Sequence, residues 1–163
     1  MQAIKIYTDG ACRGNPGPGG YGVVLEYLDL KGQLHLKELS GGYKETTNNR
    51  MELMAVLKGL ESLSKPCEVQ VYTDSAYIVN AFNQGWLKSW VANGWSRGKK
   101  KEPVKNEDLW RSILSLSSIH KLELIWVKGH AGHPQNERCD ELATGAADGN
   151  DLLTDHMFIA AES

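Results

Sequence analysis

Hydrophobic and polar residues alternate in the β-rich stretch AIKIYT at residues 3–8, and this predicts a strand. The run CRGNPGPGG (12–20) is made of turn-forming residues. YGVVLEYL (21–28) and QLHLKELSGGY (33–43) then flank DLKG, a glycine-containing hairpin connection. Three consecutive strands follow from this, paired antiparallel. The period changes at NNRMELMAVLKGLESLS (48–64), where Leu53, Val56, Leu57 and Leu60 recur at helical spacing. Asn48 or Asn49 is placed to cap that helix, and Pro66 closes it. Next come a strand, EVQVYT (68–73), and a short helix, SAYIVNAF (75–82). NEDLWRSILSLS (106–117) predicts a helix capped by Asn106, and KLELIWV (121–127) a fifth strand. PQNERCDELATGAA (134–147) predicts a helix with Pro134 in its first turn. Little periodicity remains after Asp148.

This order predicts an α/β fold. A strand–helix–strand path favours parallel pairing with a right-handed crossover. The first, fourth and fifth strands then form a parallel centre, and the second and third an antiparallel wing. The expected architecture is a five-stranded mixed sheet, order 3-2-1-4-5, flanked by helices. Residues 1–147 make one domain that includes a basic protrusion at 84–106, and residues 148–163 make a C-terminal tail.

The 163 residues suit one core, and 41% hydrophobic with 23% charged residues marks a folded chain. No apolar run is long enough to span a bilayer, and the N-terminus lacks the pattern of a signal peptide. Cys12, Cys67 and Cys139 form no paired framework, which points to a reducing compartment, the cytoplasm. A net charge of −2 means that any nucleic-acid affinity must come from local charge. Such charge is present: Arg97, Lys99, Lys100, Lys101 and Lys105 follow Trp86, Trp90 and Trp95. The combination predicts a phosphate- and sugar-binding surface without base-reading chemistry. Asn93–Gly94 reads as a helix stop that folds Trp95 back on Trp90, so the tryptophans also have a packing role.

Four acids are the catalytic candidates. Asp9 and Asp74 each follow a YT dipeptide at the end of a strand, and in open α/β sheets ligands lie beyond the carboxyl ends of parallel strands. Each Asp could instead start a turn or cap a helix. Glu52 borders the buried stripe of its helix, with a capping-box role as the alternative. Asp140 sits in the second turn of its helix beside Cys139. Acids gathered at one point repel unless cations neutralise them, and carboxylates suit Mg²⁺ or Mn²⁺. His130, in the glycine-rich VKGHAGHP, is placed to move protons near neutral pH. A zinc site from His130, His133 and Cys139 lacks an obvious fourth ligand.

YTDGACRGNPGPGGYG, TTNNRMELMAVLKGL, YTDSAYIVNA, PVKNEDLW and VKGHAGHPQNERCDELA together resemble the bacterial type I ribonucleases H over roughly residues 3–147. The resemblance implies the ribonuclease H-like fold. It also implies endonucleolytic hydrolysis of the RNA strand of RNA–DNA hybrids, giving 5′-phosphate and 3′-hydroxyl ends. Asp9, Glu52, Asp74 and Asp140 would bind Mg²⁺, with Glu52 also against a ribose 2′-hydroxyl and His130 assisting proton transfer or product departure. Cys12, Asn15, Asn48 and Asn49 would line the RNA side of the minor groove. Thr47 and Asn106 would hold a DNA phosphate, and Trp86, Trp90, Trp95, Lys99, Lys100 and Lys101 would face the DNA strand. The implied partner is a hybrid duplex bound by a monomer, with no membrane. Two departures from the family pattern predict a weaker or differently placed grip: Ala76 stands where relatives often carry Gln, and WVANGW lacks a basic run between its tryptophans. The competing readings are a resolvase- or integrase-like nuclease and a hybrid-binding module without activity. The protrusion and the His130 loop argue against the first, and the four acids argue against the second.

Overall fold

The computed structural model describes residues 1–100, 102–128 and 133–158. Strand β1 (Gln2–Cys12) lies at the centre of the main sheet. It pairs antiparallel with β2 (Gly17–Leu28), which pairs antiparallel with β3 (Leu34–Thr46). On its other side β1 pairs in parallel with β4 (Cys67–Thr73). Helices α1 (Asn48–Glu61), α2 (Ala76–Asn83) and α3 (Trp86–Ala92) come before and after β4 in the chain. A two-stranded ribbon, β5 (Ser96–Arg97) with β6 (Glu102–Pro103), leads into α4 (Glu107–Ser117). Strand β7 (Lys121–Trp126) pairs in parallel with β4, and α5 (Pro134–Ala147) follows. The five long strands take the order expected from the sequence.

One strand was not expected. β8 (Leu152–Leu153) adds to β3 in parallel, so the sheet has six strands in the order β7-β4-β1-β2-β3-β8. Residues 149–158 thus join the fold through edge pairing and through buried Asp155 and Phe158. A two-residue strand carries no periodicity, so the sequence pattern could not show it.

Helix α1 buries Leu53, Val56 and Leu60 against Ile6 and Val23, with Trp110 and Ile113 of α4 in the same core. Helix α5 packs along β1, β2 and β3. Its approach to β2 requires glycine: a Cβ on Gly22 would collide with the Cys139 carbonyl oxygen, and one on Gly20 with that of Ala143.

The caps differ from the sequence expectation. Thr47, not Asn48 or Asn49, caps α1; its hydroxyl oxygen accepts from the Arg50 backbone N–H at 3.2 Å. Asn106 precedes α4 but sits in the left-handed region, at φ 61°, and its side chain makes no cap bond. The stop after α3 forms as expected. Gly94, at φ 66°, lets the Trp95 N–H reach the Trp90 carbonyl at 2.7 Å while its own N–H reaches that of Val91 at 3.2 Å.

Candidate active site

The parallel register of β1 and β4 ends at the pair Tyr7–Tyr72, and the Thr8 hydroxyl donates to the Tyr72 carbonyl at 2.9 Å. Two residues beyond that pair stand Asp9 and Asp74. The capping alternative for Asp74 fails because Ser75 caps α2, its hydroxyl oxygen accepting from the Ile78 N–H at 3.3 Å. Glu52 is the fifth residue of α1, two positions too late for a capping box. Its helix meets β1 where Gly10 has no side chain: a Cβ there would strike the Glu52 backbone nitrogen. One oxygen from each of Asp9, Glu52 and Asp74 can be chosen so that all three lie within 4.8 Å of one another.

This grouping is electrostatically costly. Glu52 is 5% exposed, and its Oε2 has no hydrogen-bond partner among the described residues. Burial, then the charges of Asp9 and Asp74, push its carboxyl well above the usual range. An orphaned oxygen among hard oxygen donors fits a divalent cation. Asp140 lies half-buried on α5 and is not part of the three-acid group among the described residues. His130 lies outside the described residues, as does Lys101. The zinc alternative loses a ligand: Cys139 is fully buried, and burial pushes its thiol up to about 12.

Several candidate contact residues cluster around the start of α1. Asn15 Oδ1 accepts from the Asn48 N–H at 3.0 Å, which ties the Cys12–Gly17 loop to the helix. The half-buried Cys12 thiol faces the carbonyls of Gly17 and Thr46 at 3.5 and 3.4 Å. Asn48 and Asn49 are exposed. Asn106 joins the group through Arg50, whose Nη1 donates to its Oδ1 at 3.4 Å. The three tryptophans divide differently from the expectation that all meet nucleic acid. Trp95 is 8% exposed and carries the Arg111 guanidinium 4.8 Å from its ring centre, so it supports the protrusion from inside. Trp86 and Trp90 are half-buried, and Lys99 and Lys100 are exposed.

Sequence reasoning missed Arg50. Its guanidinium is buried between Asp108 and Asp155, with bonds of 2.7–3.0 Å to each. A basic residue two positions before Glu52 in an otherwise buried helix was the available signal.

The ribonuclease H family model matches residues 1–148. The chain belongs to the ribonuclease H family. It is of the bacterial ribonuclease HI type. The Ribonuclease H of Lachnoclostridium phytofermentans is 61% identical over 155 residues, 94% of this chain and 98% of that protein. That of Desulforamulus reducens is 60% identical over 147 residues, 90% and 89% of the two chains. Among solved structures, LC9-RNase H1, a type 1 RNase H with the type 2 active-site motif, superposes with a TM-score of 0.80 at 32% identity, covering 99% of this chain and 82% of that one. LC11-RNase H1 in complex with RNA/DNA hybrid gives 0.64 at 34% identity, covering 89% and 96%. This ribonuclease H is a metal-dependent endoribonuclease that cleaves RNA in RNA–DNA hybrids.

Proposed function

We propose that this ribonuclease H hydrolyses the RNA strand without regard to sequence, using Mg²⁺, with Mn²⁺ as a substitute, and leaves 5′-phosphate and 3′-hydroxyl ends. The convergence of Asp9, Glu52 and Asp74 at the carboxyl ends of β1 and β4 carries this reading. Asp140 completes the ligand set from α5. When bound, the cations supply Lewis acidity to the scissile phosphate and acidify the attacking water. Glu52 lies against a ribose 2′-hydroxyl, the group that tells RNA from DNA. His130 moves a proton or assists product departure.

The hybrid lies across the start of α1. Cys12, Asn15, Asn48 and Asn49 follow the RNA side of the minor groove, and the tie between Asn15 and Asn48 supports their acting as one surface. Thr47 and Asn106 hold a DNA phosphate. Trp86, Trp90, Lys99, Lys100 and Lys101 meet the DNA strand through charge and stacking. The enzyme works as a cytoplasmic monomer that removes hybrids and RNA primers. No described helix is long and apolar enough to cross a membrane.

A labelled RNA–DNA hybrid, assayed with Mg²⁺ beside all-DNA and all-RNA duplexes, tests the proposal. Cleavage confined to the RNA of the hybrid is expected. Cleavage of the DNA duplex would favour the resolvase-like reading, and binding without cleavage would refute catalysis.

A further inference from the structure

Arg50 touches two residues assigned above to a DNA phosphate, and it touches both through their acceptor atoms. Its backbone N–H donates to Thr47 Oγ1 at 3.2 Å. Its guanidinium Nη1 donates to Asn106 Oδ1 at 3.4 Å, a long bond. A guanidinium has donors alone, so the amide atom facing it must be oxygen. The Asn106 Nδ2–H₂ group is therefore turned away from Arg50, and the Thr47 hydroxyl is left with its O–H to give. Both side chains are oriented as donors, which is what an anion requires.

The guanidinium is held in turn by the segment after α5. Asp155 accepts from Arg50 Nε at 2.7 Å and Nη2 at 3.0 Å, and from the Thr46 hydroxyl at 2.7 Å. Asp108 takes Nη1 and Nη2 at 2.9 and 2.8 Å. Asp108 grips one edge of the guanidinium and Asp155 the adjoining edge, and the plane they share decides where Nη1 meets Asn106. The left-handed backbone of Asn106 keeps its side chain out of a cap bond and available to Arg50.

We propose that Asp155, acting through the Arg50 guanidinium, is a positioning residue for substrate, orienting the Asn106 amide as a donor to a phosphate of the DNA strand beside the Thr47 hydroxyl, which the Arg50 backbone N–H orients. The C-terminal segment thereby belongs to the substrate-binding apparatus although it touches no substrate. The inference rests on the reading of Asn106 as a phosphate contact.

A double-mutant cycle separates positioning from a purely structural role. KM and kcat are measured on the hybrid with Mg²⁺, well below the unfolding midpoint, for Asp155→Asn, Asn106→Ala and the combined variant. Asp155→Asn is expected to raise KM about fivefold with kcat nearly unchanged, in line with loss of a charge-assisted hydrogen bond. It should also weaken hybrid binding by a similar factor in an Asp9→Asn background that does not cleave, with the salt slope nearly unchanged because the donor lost carries no charge. Once Asn106 is Ala, Asp155→Asn should raise KM little further, while its cost in thermal stability remains.

Additive effects on KM, or an unchanged KM in folded Asp155→Asn, would overturn the proposal. An unchanged KM in Asn106→Ala would instead refute the phosphate reading on which it rests. Should Asp155→Asn fail to fold, Asp108→Asn takes its place in the same cycle, because it loosens the same guanidinium from its half-exposed side. Non-additive KM values then support the proposal, and additive ones overturn it.

Discussion

Tyr7 and Tyr72 stack at 4.7 Å between ring centres, with planes 14° apart, on the last paired rung of two parallel strands. The stack holds the register that places Asp9 and Asp74 at equal distances beyond it. A shift of one residue would send one aspartate to the opposite face of the sheet. The metal site thus depends on pairing set some residues earlier, and His133, 6.1 Å from the Tyr7 ring and 6.5 Å from the Tyr72 ring, adds a third ring to the packing.

Asp9→Asn should lower hybrid cleavage at least ~10³-fold, since a neutral amide weakens the cation site on which the reaction depends. The protein should stay folded, because one of the charges opposing Glu52 is removed. Circular dichroism beside a cleavage assay checks both points. Near-normal turnover would refute the metal assignment.

Gly22→Ala should destabilise the enzyme by roughly 2–3 kcal/mol, because the added methyl meets the Cys139 carbonyl and must push α5 off β2. The helix also carries Asp140, so kcat should fall even at temperatures where the variant is folded. Denaturant unfolding and steady-state kinetics on the same preparation separate the two effects. Full kcat with reduced stability would show that Asp140 does not need this seating.

Asp155 predicts a pH dependence. Burial raises its carboxyl pKa, but hydrogen bonds from Arg50 and Thr46 and the Arg50 charge outweigh this and hold it below the usual value. A depressed folded pKa gives stability that is present above the unfolded value, ~3.9, and lost as pH falls through the folded one. Asp155→Asn should cost roughly 2–3 kcal/mol near neutrality, since Arg50 keeps a buried charge with a weaker partner. Its stability should then fall less steeply than the wild type as pH drops below the unfolded value. Urea titrations across that range give the comparison, and parallel curves would show that this ion pair does not govern acid sensitivity.

Replacing Lys99, Lys100 and Lys101 together by Ala should weaken hybrid binding and reduce the salt slope by up to ~3 units, one for each phosphate no longer neutralised. Fluorescence anisotropy at several salt concentrations reads this directly. An unchanged affinity would place the DNA-strand grip elsewhere, Trp86 and Trp90 being the next candidates.

The five long strands were legible because β-rich runs are bounded by turn residues, with clear alternation in β4 and burial on both faces of β1 and β2, and α1, α4 and α5 because their apolar stripes repeat at the helical period. The acids were legible through position: Asp9 and Asp74 end strands, and Glu52 borders a buried stripe. The caps were misread because Thr47, Asn48 and Asn49 are all competent cap residues, and which one stops being extended depends on where β3 leaves the sheet. Trp95 lies among lysines in the chain, but it is buried as part of the hydrophobic core, with the Arg111 guanidinium, sixteen positions later, over its ring.

By itself the sequence determined the local elements, the chemistry of the acids and, through joint motifs, the family. Those depend on neighbours in the chain and on residue type. Tertiary structure alone decided that Arg50 binds Asp155 and Asp108 from segments 105 and 58 residues away, and that the segment after Asp148 adds a strand. A buried ion pair leaves no periodic trace, and a two-residue strand is too short to leave one. The ion pair forms because a guanidinium taken out of water must be met by carboxylates, wherever in the chain the fold brings them. The strand forms because the edge of β3 offers backbone groups that need partners.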